Sequence, residues 1–308
     1  MRILFAATGE IAIKTLEKLN SLGIVTAVLT APDARGKRGK SLIPSPIKQR
    51  ALELGLKVYT PSYLGKDFRT EIEDDNFDTL VSFCYGKIFG PKFLAMFKNK
   101  FNIHPSLLPK YRGPSPLFLT LLNQDEKLSI SIQDIALGMD EGDIFTSSSF
   151  DLNGDETNDS ISVLTEEKAS CMAYDFFQQP FKDGVKQEGN ASYSTFITKD
   201  HGVLDFSKTA KELHSQIRAC YSWPKCKCTL DGNDLYLCKV SGSVFDIADE
   251  VCSEESGTVC SFSKEKGLKI ATSLGYLYVT TLLQPTKKEV DAFSFYNGHK
   301  DIIGKRLS

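Results

Sequence analysis

The feature that most restricts this chain is the alternation, over its first third, of short apolar runs with segments of helical spacing. Residues 3–7 form an apolar run closed by Thr8-Gly9, Ile11, Ile13, Leu16 and Leu19 then recur at helical spacing, and residues 23–29 read as a buried strand. Further strand-like runs at residues 57–60 and 79–83 are separated by helical stretches at 46–56 and 67–74. Strands that alternate with helices run parallel, because each helix crosses back over the sheet before the next strand begins. The expected class is α/β, with an N-terminal Rossmann-like domain on a mostly parallel sheet, whose binding residues gather at the carboxyl ends of strands. No GxGxxG follows the first strand, which argues against a dinucleotide-dependent oxidoreductase.

The pattern changes from about residue 123, with strands expected at 128–135 and 144–150 and a helix at 160–177. Weak periodicity over residues 182–207 reads as a linker. A helix at 209–220 and short strands at 227–230, 235–240, 257–262, 268–272 and 276–282 then suggest a small C-terminal β-barrel or sandwich. The expected division is residues 1–182, a linker at 183–206, and a C-terminal domain at 207–308.

Composition narrows the class further. A formal charge of −2 excludes a protein that coats nucleic acid by charge alone. The stretch 1–7 is too short for a signal peptide and no apolar run reaches membrane-spanning length, so a cytoplasmic protein is expected. The eight cysteines are expected to stay reduced in a chain read as lacking an export signal, and Cys220, Cys226, Cys228 and Cys238 with His214 lack the paired CxxC spacing of a zinc site, so no metal is expected.

Two segments could carry chemistry. Asn102 and His104 flank one apolar residue, so on an extended strand their side chains share a face, about 7 Å apart. An imidazole that exchanges a proton near neutrality and an amide that donates to an oxygen gaining charge can then address one reacting centre. The second segment, Leu137-Gly138-Met139-Asp140-Glu141-Gly142-Asp143, is a glycine-bracketed turn able to hold a carboxylate rigidly. Such a carboxylate near His104 would orient its ring.

Together these segments resemble the Asn-x-His-x-Ser-Leu-Leu-Pro and Gly-x-Asp-x-Gly-Asp patterns of the formyltransferases that use 10-formyltetrahydrofolate, and most closely the members that act on a charged tRNA. The likeness extends through Pro32-Asp33, Gly36-Lys37-Arg38-Gly39-Lys40, Pro44-Ser45-Pro46-Ile47-Lys48, Tyr85-Gly86, Pro109-Lys110-Tyr111-Arg112-Gly113, Trp223-Pro224 and Gly304-Lys305-Arg306-Leu307. Departures are Ala7-Thr8-Gly9-Glu10-Ile11, where Gly-Thr-Pro-Glu-Phe is commoner, Ala136, where many members have aspartate, and Pro105 after the histidine.

The resemblance implies a transferase of one-carbon metabolism serving translation initiation. Asn102, His104 and Asp140 would be its catalytic residues, 10-formyltetrahydrofolate its co-substrate, and initiator methionyl-tRNA its acceptor, with no metal. Tyr85, Gly86, Ile88, Leu137, Gly138 and Met139 would border the folate. Arg35, Lys37, Arg38, Lys40 and Lys199 would meet tRNA, with Arg38 in the key position, in a protein that works as a monomer. The C-terminal domain would be an OB-like β-barrel and add phosphate contacts from some of Lys208, Lys211, Arg218, Lys225 and Lys227. The competing readings are formylation of an amino sugar nucleotide or glycinamide ribonucleotide, and a noncatalytic RNA-binding protein with a degenerate enzyme fold.

Overall fold

The computed structural model describes residues 1–35 and 42–308, which cluster into two compact units. Met1–Gly113, Ser129–Ser149 and Ser162–Tyr193 make the first; Pro114–Leu128, Phe150–Ile161 and Ser194–Ser308 make the second. No helix among the described residues is long and apolar enough to cross a membrane.

The chain opens with the expected β-α-β unit: β1 (Ile3–Ala7), α1 (Ile13–Ser21) and β2 (Val25–Leu29). A two-residue pair, β3 (Ala34–Arg35) and β4 (Leu42–Ile43), precedes α2 (Pro46–Glu53), β5 (Lys57–Tyr59), α3 (Lys66–Glu73), β6 (Thr79–Phe83), α4 (Pro91–Leu94) and β7 (Asn99–His104). The helix starts have local causes: in α2 the Ser45 hydroxyl accepts from the Lys48 N–H, and Pro46 enters at the position where its missing N–H costs nothing. After α5 (Pro116–Leu122), β8 (Lys127–Asp134) and β9 (Ile144–Asp151) complete a seven-stranded sheet in the order β5-β2-β1-β6-β7-β8-β9. β5, β2, β1, β6 and β7 are parallel and β8 runs antiparallel to β7, giving the mostly parallel sheet expected.

Every residue of β1 and β6 is buried, as strands covered on both faces require. One core cluster joins Leu4, Leu29 and Leu80 to Phe68, Ile72 and Phe93 of the neighbouring helices. A second forms around Phe101 of β7, whose ring lies 4.8–5.4 Å from those of Phe145, Phe176, Phe177 and Phe181. Phe176 and Phe177 close α6 (Asn158–Phe177). Each such ring pair adds about 0.5–1.5 kcal/mol to its area burial, so the strand that ends at His104 is firmly anchored.

In the second unit α7 (Ala210–Ala219) starts with a capping box between Thr209 and Glu212 and packs on α5 and on an antiparallel sheet. That sheet runs β10-β11-β14-β13-β12, from β10 (Cys226–Leu230), β11 (Asn233–Val240), β12 (Val259–Ser263), β13 (Gly267–Ala271) and β14 (Tyr276–Leu283). β15 (Val290–Asp291) pairs with β14 and leads into α8 (Ala292–Gly298). Residues 304–308 then bridge the two ends of the order: Leu307 N–H donates to Gly257 O at 2.9 Å, and Ser308 N–H to Thr229 O at 3.1 Å. The sheet closes on itself through this segment, and no open edge is left there to recruit another chain. Gly257 permits the closure, since it sits at φ +90° and a Cβ there would lie 2.3 Å from the Leu307 carbonyl.

Candidate active site

β7 ends at His104, and its alternation sends Asn102 and His104 to the face opposite Phe101 and Ile103. The register pairs Asn102 with Gln133 and His104 with Ser131 of β8. The loop after β8 brings Asp140 to the same point. Its Oδ1 accepts from Asn102 Nδ2 at 3.1 Å and from Gln133 Nε2 at 2.8 Å, and lies 3.6 Å from His104 Nδ1. Its Oδ2 accepts from the Gly113 backbone N–H at 2.7 Å. The two carboxylate oxygens are thus nearly saturated by donors, which fixes the direction of the charge.

The imidazole is buried, and its other nitrogen, Nε2, lies 2.9 Å from the Tyr111 carbonyl oxygen. A carbonyl can only accept, so the proton of neutral His104 sits on Nε2 and the Nδ1 lone pair is the one that can take a proton. Three non-glycine residues around the cluster lie in the left-handed region: Cys84 at φ +53°, Tyr111 at φ +58° and Asp140 at φ +54°. Each costs on the order of 1–3 kcal/mol, which the surrounding packing must offset, and such strain gathers at functional sites.

Cys84 ends the β6 turn within reach of the Asp140 field. It is solvent-reachable as a residue, yet desolvation around the sulfur, helped by the Asp140 charge, pushes its thiol up to about 12. A thiol raised in this way disfavours the thiolate, which is the form in which a cysteine attacks. The Ser106 hydroxyl donates to the Lys110 carbonyl at 2.5 Å. A direct transfer between bound substrates is what these groups can support, with the imidazole moving a proton and the amide stabilising charge.

The remaining expected residues fall in different places. Ile88, Leu137 and Met139 are 82%, 69% and 55% exposed, a strong departure for apolar side chains that leaves them free to cover an apolar ligand face. Nothing would meet a Cβ at Gly86, whereas one at Gly138 would collide with Glu141. Tyr85 is half-buried and stacks on Phe89, with ring centroids 5.3 Å apart. Its hydroxyl is buried with no hydrogen-bond partner among the described residues, and burial pushes it up to about 12.

Arg35 and Lys199 are exposed, while Lys37, Arg38 and Lys40 lie outside the described residues. Two other cations from the basic stretch are already paired, Lys48 with Asp33 at 2.7 Å and Arg50 with Glu17 at 2.6 Å and Glu53 at 2.7 Å. Arg218, expected among the phosphate contacts, is instead 4% exposed and bound inside the second unit to His214, Ser215 and the Glu156 carbonyl. The cause is that α7 is covered on every side over its last two turns, with all of Leu213–Ala219 buried, so Arg218 has no solvent-facing side to occupy.

Gln133, Gln187 and the backbone of Gly113 enter the site without having been picked out in the sequence. Gln133 had no distinct signal, since it stands with Lys127, Ser129 and Ser131 on the polar face of an alternating strand, and only the fold shows that this face is buried at Ser131 and Gln133. Gln187 had none. No group of three or more His, Cys, Asp or Glu among the described residues is placed to hold a metal ion.

Residues 1–174 match the family model described as formyl transferase, and residues 196–300 match that of the formyl transferase C-terminal domain. The methionyl-tRNA formyltransferase of Borrelia recurrentis is 35% identical over 313 residues, covering all of both chains. That of Borreliella burgdorferi is 34% identical over 312 residues, covering all of this chain and 99% of the relative. The chain belongs to the methionyl-tRNA formyltransferase family. It is a formyl-transferring enzyme.

Solved structures agree on the fold of this formyltransferase. The sugar 3N-formyl transferase WlaRD superposes with a TM-score of 0.65 at 20% identity, covering 94% of this chain and 99% of the other. The methionyl-tRNA formyltransferase of Clostridium thermocellum gives 0.55 at 17%, covering 78% and 93%.

Proposed function

We propose that this enzyme transfers the formyl group of 10-formyltetrahydrofolate to the methionine amino group of initiator methionyl-tRNA, with Asn102, His104 and Asp140 as its catalytic residues. The observation that carries the reading is the convergence of amide, imidazole and carboxylate at the end of β7, with Asp140 Oδ1 3.1 Å from Asn102 Nδ2 and 3.6 Å from His104 Nδ1. Full-length similarity to methionyl-tRNA formyltransferases supports the choice of acceptor.

Attack of an amine on a formyl carbon makes three demands: the amine must lose a proton, the formyl oxygen must carry negative charge, and the departing nitrogen must gain a proton. His104 meets the first and third at Nδ1, because its Nε2 proton is committed to Tyr111. Asp140 faces the imidazolium that forms and holds the ring in register. Asn102 has one amide hydrogen on Asp140; the second is available to the tetrahedral oxyanion. No bond to the enzyme is needed, because the amine attacks the formyl carbon directly.

The donor would lie against Ile88, Leu137 and Met139, with Gly86 and Gly138 exposing backbone groups and Tyr85 backing the wall through Phe89. Initiator tRNA would meet Arg35, Lys37, Arg38 and Lys40 at its acceptor end and Lys199 further along. In this reading residues 1–182 catalyse, 183–206 link, and 207–308 bind tRNA, in a cytoplasmic monomer.

The test is formyl transfer from 10-formyltetrahydrofolate to methionine-charged initiator tRNA, with charged elongator tRNA and an amino sugar nucleotide in parallel. Selective formylation of the initiator is expected, and Arg38→Glu should weaken that selectivity while leaving donor binding intact. Transfer to the sugar nucleotide alone, or to no acceptor, would overturn the proposal.

A further inference from the structure

We propose that Gln187 is a positioning residue of this reaction: it clamps the backbone of the loop that carries Asp140 and thereby sets the carboxylate against His104. The inference rests on the roles given to His104 and Asp140 above.

Gln187 lies in a segment without helix or strand, yet both ends of that segment are tied down. Val185 exchanges two backbone hydrogen bonds with Ile144, at 2.7 and 2.8 Å. Ser192 accepts from the Arg112 N–H at 2.9 Å through its carbonyl and from the Tyr111 N–H at 2.9 Å through its hydroxyl. Between these anchors the Gln187 amide donates to the carbonyls of Asp140 and Gly142, both at 2.8 Å, and approaches Gln133 Oε1 at 3.3 Å. Its own oxygen accepts from Arg112 Nη2 at 2.8 Å and Nε at 3.2 Å.

The hydrogen-bonding capacity of the side chain is therefore spent on one task. Its hydrogens hold the carbonyl of the left-handed Asp140 and that of the residue two places on. At the far end of the loop, Asp134 N–H donates to Asp143 O at 2.8 Å, and Gly142 packs so closely that a Cβ would lie 1.9 Å from the Asp134 carbonyl. With both ends pinned, the carboxylate is aimed by backbone geometry before any substrate arrives. Only an uncharged amide suits the position: glutamate would set oxygen against two carbonyls, and leucine would fill the volume while leaving them and Arg112 without this partner.

The test compares Gln187→Leu and Gln187→Glu with the unmodified enzyme in steady-state formylation of methionyl-tRNA, reading kcat and the donor KM separately, with thermal unfolding alongside. Either substitution should lower kcat by about tenfold or more through misplacement of the carboxylate, with the donor KM little changed. In an Asp140→Asn background, Gln187→Leu should cost almost nothing further, because the group it positions is already gone. An equal loss in both backgrounds, or a loss confined to KM or to melting temperature, would overturn the role of Gln187. Where Gln187→Leu does not fold, Gln187→Glu, which keeps a partner for Arg112, carries the same expectation. An unmodified enzyme that formylates no methionyl-tRNA would instead overturn the functional reading on which this one rests.

Discussion

Replacing Asp140 by asparagine keeps the shape of the side chain and removes its charge, so it isolates what the carboxylate does for His104. The two side chains are 12% and 6% exposed and their nearest atoms are 3.6 Å apart, so the pair is governed by the protein interior rather than by water. At an effective dielectric constant of about 20, a full charge pair at that separation is worth about 4 to 5 kcal/mol. That energy is gained as Nδ1 takes the proton of the attacking amine, and at 1.36 kcal/mol per decade it amounts to about a thousandfold in rate. The asparagine dipole recovers part of it, which brings the expected fall in kcat to about 10²–10³. A folding cost accompanies this, because the new NH2 must face one of the donors on Gly113, Asn102 or Gln133, at about 1–3 kcal/mol for the unsatisfied contact. Single-turnover formylation at saturating donor and methionyl-tRNA measures the rate, and urea unfolding the stability. A folded Asp140→Asn protein with the kcat of the unmodified enzyme would refute the reasoning, as would a loss appearing only in the KM for donor.

Asn102→Ala should lower kcat by about 10²–10³ through loss of one oxyanion donor, while donor binding changes little; the same single-turnover assay checks it, and equal losses in both would count against that role. His214 is held neutral by burial first and by Arg218 second, with its pKa pushed down from 6.5 to about 4, and its Nδ1 accepts from Arg218 Nε at 3.1 Å. The unfolded state therefore binds the extra proton between those values, so stability falls as pH drops from 6.5 towards 4, by about 3 kcal/mol in full. Urea unfolding across that range should show this term in the unmodified protein and not in His214→Gln; parallel pH profiles would refute it. Removing residues 304–308 strips the hydrogen bonds to Gly257, Val259 and Thr229 and the buried Leu307, at about 5 kcal/mol, so β10 and β12 amides should exchange quickly with solvent while β1 and β6 stay protected. Unchanged protection at β10 and β12 would contradict the closure.

The local order of this protein is legible in its sequence because it depends on short-range rules. Apolar runs bounded by Thr8-Gly9 and by Gly23 read as strands, and β1 and β2 follow them; helical spacing over 46–56 and 67–74 became α2, three residues shorter, and α3, displaced by one residue. Asn102 and His104 were visible because a strand has period two, and Asp140 because a turn between glycines can hold a carboxylate. What the sequence by itself does not determine is which carboxylate oxygen meets which donor, or which nitrogen of His104 is left to take a proton. Those follow from the register of β7 on β8, the carbonyl of Tyr111 and the placement of Asp140, and all but the Tyr111 contact, seven residues from His104, come from residues far apart in the chain. Gln187 is the clearest case: it stands in a stretch with no periodicity, 47 residues from Asp140, and its role exists only because Val185 and Ser192 tie that stretch across the site. Arg218 shows the reverse error, a surface cation by composition that lies in a helix buried on all sides from Leu213 onward, since charge alone does not say whether a helix is covered by the rest of the fold.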